Sequence, residues 1–296
     1  MITLSKNARK YWQLYVFIIP ALAYFIVFHY IPMYGAQIAF KNYSAVKGIW
    51  GSPWAGFKWF DILFQSPDFW VALRNTTIIS LLKLVFNFPA PIILALLLNE
   101  VYRSVFKRVV QTIVYFPHFI SWVILGGIMI SLFSKNSGLL AFLGLEVSPL
   151  MDPSKFRGLL VFSEMWKEIG WGTIIYLAAI SGINPDLYDA GKMDGANRFR
   201  LVRHITLPSI SGTIVTLLIL KTGHILSVGF DQIFILYNPL VYEVSDVLET
   251  YVYRVGITMG RYSFATAAGL FQSLVGLILI LIANRLAKRF GEHGIW

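Results

Sequence analysis

The stretch Tyr188–Pro208 reads YDAGKMDGANRFRLVRHITLP, a polar run in a chain of 296 residues that is 57% hydrophobic and only 14% charged. A soluble domain carries roughly 25% charged and 45–50% apolar residues. The mean hydropathy of +0.66 places this chain with the membrane proteins. Small residues and charges crowd this one stretch, a proline closes it, and another long apolar run follows at once. Its meaning depends on what flanks it.

A spanning helix needs about 20 mostly apolar residues. Six stretches have that length: Tyr11–Ile31, Val71–Leu98, Val109–Phe133, Gly158–Ile183, Ser209–Tyr237 and Phe264–Ala287. Pro20, Pro89, Pro91 and Pro117 interrupt them. Membrane helices tolerate this where neighbours re-satisfy the freed backbone groups, so kinked, bundled helices are predicted. The 9 Trp, 15 Tyr and 23 Phe fit rings gathered at the two membrane interfaces. The first span follows Lys6, Arg9 and Lys10. It exceeds the roughly 7–15 apolar residues of a signal peptide and lacks a small-x-small cleavage site, so it is expected to be retained.

Basic residues give the direction. With the N-terminus inside, the short inner segments hold Lys6, Arg9 and Lys10, then Arg103, Lys107 and Arg108, then Lys192, Arg198, Arg200 and Arg203, and finally Arg285, Lys288 and Arg289. The longer outer loops hold fewer. The positive-inside rule then puts both termini in the cytoplasm, with Tyr188–Pro208 as the cytoplasmic loop between spans four and five. The net charge of +10 reads as membrane orientation and not as nucleic-acid binding. The chain divides into 1–70 (tail, first helix, outer loop), 71–287 (core, with a loop at 184–208) and a tail at 288–296.

Within the loop, Asn184-Pro185-Asp186 starts a short helix: Asn caps, Pro suits the first position, and Asp suits the positive end. That helix is predicted to stop near Gly195. A second is predicted from Asn197 to about Thr206, before Pro208 and Ser209 open span five. Two short helices with a bend make a protruding knob. Ala190, Gly191, Gly195 and Ala196 give it small surfaces, and Asp189 and Asp194 offer carboxylates.

The pattern resembles the EAA loop of ABC-importer permeases. Asp189-Ala190-Gly191 fills its first block, Asp194-Gly195-Ala196 its second, and Ile205, Leu207 and Pro208 close it at the expected spacing. Asp189 departs from Glu, Gly191 from Ala, and Val202 from an aromatic. Phe28–Tyr43, Phe88–Glu100, Phe116–Gly127, Trp166–Ile180 and Leu236–Gly256 are similar to carbohydrate-importer permeases. The likeness is to the oligo- and polysaccharide branch that includes the permeases of alginate importers. It implies an all-α type I permease fold of about six transmembrane helices in the plasma (inner) membrane. It also implies a coupling role for Asp189, Ala190, Gly191, Asp194, Gly195, Ala196, Leu207 and Pro208. Implied partners are a second, related permease, two ATP-binding subunits that hold ATP and Mg, and an extracytoplasmic sugar-binding protein. That protein would dock near Gly35–Trp70 and Asn238–Ser263. The cargo implied is a glycan, alginate or another uronate-containing one among them.

Ionisable groups inside a span cost about 2.5–3.5 kcal/mol each on insertion scales and face a bundle interior or a cavity. In span four Glu164, Lys167, Glu168 and Trp171 fall on one stripe about 100° wide. In span five Thr213, Lys221, His224, Asp231 and Gln232 again fall on one stripe about 100° wide. Either the stripes line a substrate pathway, or their charges pair, with Lys221 reaching Glu168, and hold the helices together. Lys83, Asn87 and His118 are further candidates. An ion-coupled secondary transporter is the alternative reading of these charges, but it leaves the loop without a role. The chain has no Cys and no phosphate loop, H-E-x-x-H or G-x-S-x-G motif. No enzymatic activity, cofactor or metal site of its own is therefore expected.

Overall fold

In the computed structural model, residues 10–133, 142 and 148–289 are described. They are helical apart from turns, loops and one isolated antiparallel bridge, Lys41–Trp54. Helix α1 (Trp12–Phe25) continues through a π turn at Ile26–Tyr30 and Ile31–Met33 into a 3-10 stretch at Tyr34–Phe40. Helices α2 (Pro67–Asn87) and α3 (Pro89–Asn99) run on as one span. Pro89 and Pro91 sit in the first turn of α3, where a missing N–H breaks no helical bond.

The third span is broken. Helix α4 (Ser104–Tyr115) ends in a 3-10 turn at Phe116–Phe119, and α5 (Trp122–Leu132) leaves at 98°. Pro117 sits in the turn and the Ser121 side chain caps α5 by accepting from the Ile124 N–H. Helix α6 (Pro153–Ser181) has 29 residues. Asp152 caps it, and hydrogen bonds from Ser154 and Lys155 hold that carboxyl down to about 2. Helix α7 (Pro185–Met193) and the segment Arg198–Ser209 form the loop between spans four and five, and α8 (Ser211–Gly223) departs from that segment at 60°. Short helices α9 (Phe230–Leu236) and α10 (Leu248–Tyr253) precede the long α11 (Tyr262–Arg289).

Among the described residues three helices are long and apolar enough to cross a membrane, and up to five spans result if each bent pair counts as one. The sixth expected span is α6, whose length at about 1.5 Å per residue is ample. The charges Glu164, Lys167 and Glu168 keep it out of a purely apolar class. Span five corrects the sequence reading: Ser209–Tyr237 is α8, an unwound segment at 224–229, and α9. Gly229, at φ 92°, makes a turn that a side-chain-bearing residue resists.

Two compact units result, one of residues up to 65 with 252–270, the other of 66–251 with the helix from 271 onward. In the first, Lys41 is a buried hub. Its ammonium donates to the Ile49 carbonyl at 2.7 Å and lies over the Trp54 ring. Its carbonyl accepts from Trp59 and Ser263.

The second unit is layered along α6. Phe156 and Leu160 join Ile79, Leu125, Met129, Ile233 and Leu236 in one apolar cluster. More than four turns on, Tyr176 and Ile180 join Ala95 and Ile210 in another. The charged residues lie between. Gly170 lets α6 approach the backbone of α4 so closely that a Cβ there would stand 2.0 Å from the Val114 carbonyl oxygen. Beyond the first cluster, Asn75 ties three segments together. Its amide donates to the Glu243 and Asp246 carbonyls, both at 3.0 Å, and accepts from Arg157 at 2.8 Å. Asn75 is fully buried, so Asn75→Ala leaves a guanidinium and two carbonyls short of partners. It should cost about 2 kcal/mol or more, read as a lowered Tm of the purified protein in detergent.

Candidate functional site

The two breaks in the spans create the site. When a helix unwinds, its backbone groups lose their i−4 partners and must find others. At residues 224–229 they find side chains from three other helices. Ser80 on α2 donates to the Ile225 carbonyl. Gln272 on α11 donates to the Leu226 carbonyl at 2.9 Å, and Lys83 on α2 to the Val228 carbonyl at 2.6 Å. The Glu249 carboxylate on α10 accepts from the Ser227 hydroxyl at 2.6 Å and the Val228 N–H at 3.2 Å.

Lys83 is 3% exposed, and burying an ammonium requires an anion and full hydrogen bonding. Glu164 on α6 supplies the anion in direct contact. The Gln232 carbonyl oxygen accepts a further bond at 2.7 Å, while the Gln232 amide nitrogen donates to the Leu160 carbonyl and the Ser163 hydroxyl. Lys83 thus joins α2, α6, the unwound segment and α9.

The break in span three is held in the same way. Lys167 on α6 donates to the His118 carbonyl at 2.7 Å and to Glu168 at 3.1 Å. Glu168 meets the His118 ring nitrogen Nδ1 at 2.8 Å. That ring stacks on Trp171, with centroids 4.5 Å apart and planes 5° from parallel.

Between these anchors lies a cavity of about 660 Å³, within the range of small-ligand sites. Of the residues expected to line a pathway, Glu164, Glu168, Trp171, Lys221, His224 and Gln232 border it, and Asn87 and Trp122 join them. Lys167 turns away towards the His118 carbonyl and the Trp122 ring, and Asp231 is exposed on α9. The stripe expected on span five does not exist as a stripe, because the chain unwinds after Gly223. Lys221 does not reach Glu168 as the pairing alternative supposed; it approaches Glu164 at 4.0 Å. Lys83 and His118, minor candidates in the sequence, stand at the centre of both networks. Ser80, Glu249 and Gln272 were not singled out, since nothing local marks a side chain whose partner is a backbone carbonyl on a distant helix.

The loop between α6 and α8 forms as its caps predict. Asn184 accepts from the Asp186 N–H and Asn197 from the Arg200 N–H. Gly195 adopts φ 73° between the two helices. Gly191 is closely packed: a Cβ would stand 2.7 Å from the end of the Leu201 side chain and 3.0 Å from that of Ile205, which would have to shift. The second helix therefore packs tightly on the first although position 202 is Val. Tyr188 also bonds Thr206 at 3.0 Å. Asp189 pairs with Lys192 at 2.9 Å, and this bond raises the Lys192 ammonium above its ordinary range. Both side chains are exposed, so the pair is worth little and is free to exchange partners. Arg198 anchors the knob to the α3–α4 connection, lying over the Tyr102 ring and 3.9 Å from Glu100.

Broken helices around a cavity, with a polar knob rooted in the same bundle, define a membrane transport component. The chain belongs to the family of binding-protein-dependent transport system inner membrane components, whose model matches residues 87–292. It is 48% identical over 293 residues to Protein LplB of Bacillus subtilis (strain 168), across 97% of this chain and 92% of that one. It is also 48% identical to the polygalacturonan/rhamnogalacturonan transport system permease protein YteP of the same organism, across 97% and 91%. A solved chain of a bacterial ABC transporter involved in the import of the acidic polysaccharide alginate superimposes with a TM-score of 0.89 at 45% identity, covering 97% of this chain and 99% of that one. A second has the same TM-score at 44% identity, from an alginate transporter in complex with an alginate pentasaccharide-bound periplasmic protein. The chain is thus a multi-pass inner-membrane permease subunit of an ABC importer, without enzymatic activity of its own. The ion-coupled carrier has no support.

Lys83→Met should destabilise the protein by about 3–5 kcal/mol, because Glu164 would remain buried without its cation. Lys83→Met combined with Glu164→Gln should recover part of that loss. Thermal unfolding of the three proteins in one detergent measures both effects.

Proposed function

We propose that this permease carries oligo- or polysaccharides, uronate-containing glycans among them, through the cavity bordered by Glu164, Glu168, Trp171, Lys221 and His224. Driving force would come from a separate ATPase pair that binds ATP and Mg and docks on the loop at 184–208. The complex would contain a second, related permease and receive its cargo from an extracytoplasmic binding protein. That protein would dock at Gly35–Trp70 and Asn238–Ser263, the segments that the Lys and Arg distribution assigns to the outer side. The distribution of Lys and Arg supports cytoplasmic termini and a cytoplasmic loop. Sugar cargo is supported by the oligosaccharide and alginate transporters to which the chain is similar, and by an indole beside hydrogen-bonding groups in the cavity.

The observation that carries the reading is the knob. Its two capped helices close on Gly191 while Asp189 and Asp194 stay exposed, so a rigid, small-surfaced projection is ready to be gripped. Its second helix leads through Ser209 directly into α8, which carries Lys221 to the cavity.

Reconstitution with the partner subunits in liposomes tests it. Asp189→Arg and Gly195→Trp should lower saccharide uptake by roughly tenfold or more, the loss of binding energy being that of a displaced interface contact. Insertion and assembly of the permease should be unchanged. Normal uptake in both variants would sink the docking role.

A further inference from the structure

We infer that Lys221 reads a carboxylate of the transported saccharide, so that the permease itself selects acidic glycans. This rests on the saccharide-import reading above. One ammonium on the cavity wall has no carboxylate to itself. Glu164 is in direct contact with Lys83. Glu168 is held by Lys167 at 3.1 Å and by His118 at 2.8 Å. Both carboxylates therefore have closer cationic partners than Lys221, which stands 4.0 Å from Glu164 with its side chain 50% exposed. An ammonium on a cavity wall without a carboxylate of its own favours the arrival of one, and a uronate carboxylate supplies it. Neutral hydroxyls would leave that ammonium without an anion.

One neighbour shapes the site for a sugar ring. Trp171, 48% exposed and backed by the His118 ring, offers an aromatic platform to the C–H face of a pyranose.

The test uses the complete transporter in proteoliposomes and two probe pairs: trigalacturonate and trimannuronate, each beside its methyl ester, which keeps the shape and removes the charge. One binding protein serves every complex, so a change in the ratio of acid to ester uptake between variants originates in the permease. Lys221→Gln should lower that ratio about tenfold or more, and Lys221→Arg should preserve it. Equal loss of both forms, or an unchanged ratio, would overturn the assignment. A wild type that imports the esters or maltotriose but neither acid would overturn it too, while saccharide import would stand. A wild type that imports none of these overturns both.

Discussion

Unwound backbone inside a helical membrane bundle must have its hydrogen bonds supplied by other side chains, and the second unit is organised around meeting that demand twice. Where the bundle excludes water, each freed carbonyl left alone costs several kcal/mol. Residues 224–229 meet it with Ser80, Lys83, Glu249 and Gln272. The turn at Phe116–Phe119 meets it with Lys167. Carbonyl oxygens call for donors, and a lysine brings a strong one on a long arm. Its charge then has to be balanced, so Glu164 and Glu168 follow from the lysines. The charges on α6 are in this sense a consequence of the breaks in its neighbours.

That origin explains why the polar layer lies between two apolar ones. The cluster around Phe156 and Leu160 and the cluster around Tyr176 and Ile180 close the bundle on either side. The breaks, their ion pairs and the cavity share the space between. A side chain used to hold a break is unavailable to a ligand. Gln232 shows this, since it borders the cavity while its oxygen is bonded to Lys83 and its nitrogen to Leu160 and Ser163. Lys221 and the Trp171 face, both half exposed, are left free of that duty.

What was legible in the sequence follows the range of the interactions concerned. The loop at 184–208 could be read almost residue by residue, because Asn184, Asn197 and Gly195 act on backbone within three positions of themselves. Six apolar stretches and the turn at Pro117 were readable for the same reason. The break in span five was not, for no proline marks it and Gly223 and Gly229 alone are tolerated in membrane helices. Taking that span as one helix produced a stripe that unwinding disperses, and it put Lys221 opposite Glu168. The weight of Lys83 was hidden as well. Its partners Glu164, Val228 and Gln232 lie on other helices, and no local pattern records a partner so distant in the chain.

The same geometry bears on how the two functional ends of the molecule are joined. Tyr188 bonded to Thr206, and Gly191 seated against Leu201 and Ile205, make the knob one body. That body continues through Leu207–Ser209 into α8 with a single 60° bend. Thirteen residues of α8 then end at Gly223, where the helix gives way to the unwound segment. A regular helix resists bending along its length, so a displacement of the knob is handed on with little loss as far as Gly223. Beyond that point the chain is held by side-chain bonds from α2, α10 and α11 in place of helical ones, and these can re-form about a new position. Lys221 lies at the end of the stiff part and Val228, gripped by Lys83, lies in the yielding part. In the coupling reading proposed above, a push on the loop would carry Leu217, Leu220 and Lys221 together relative to the Lys83–Glu164 pair.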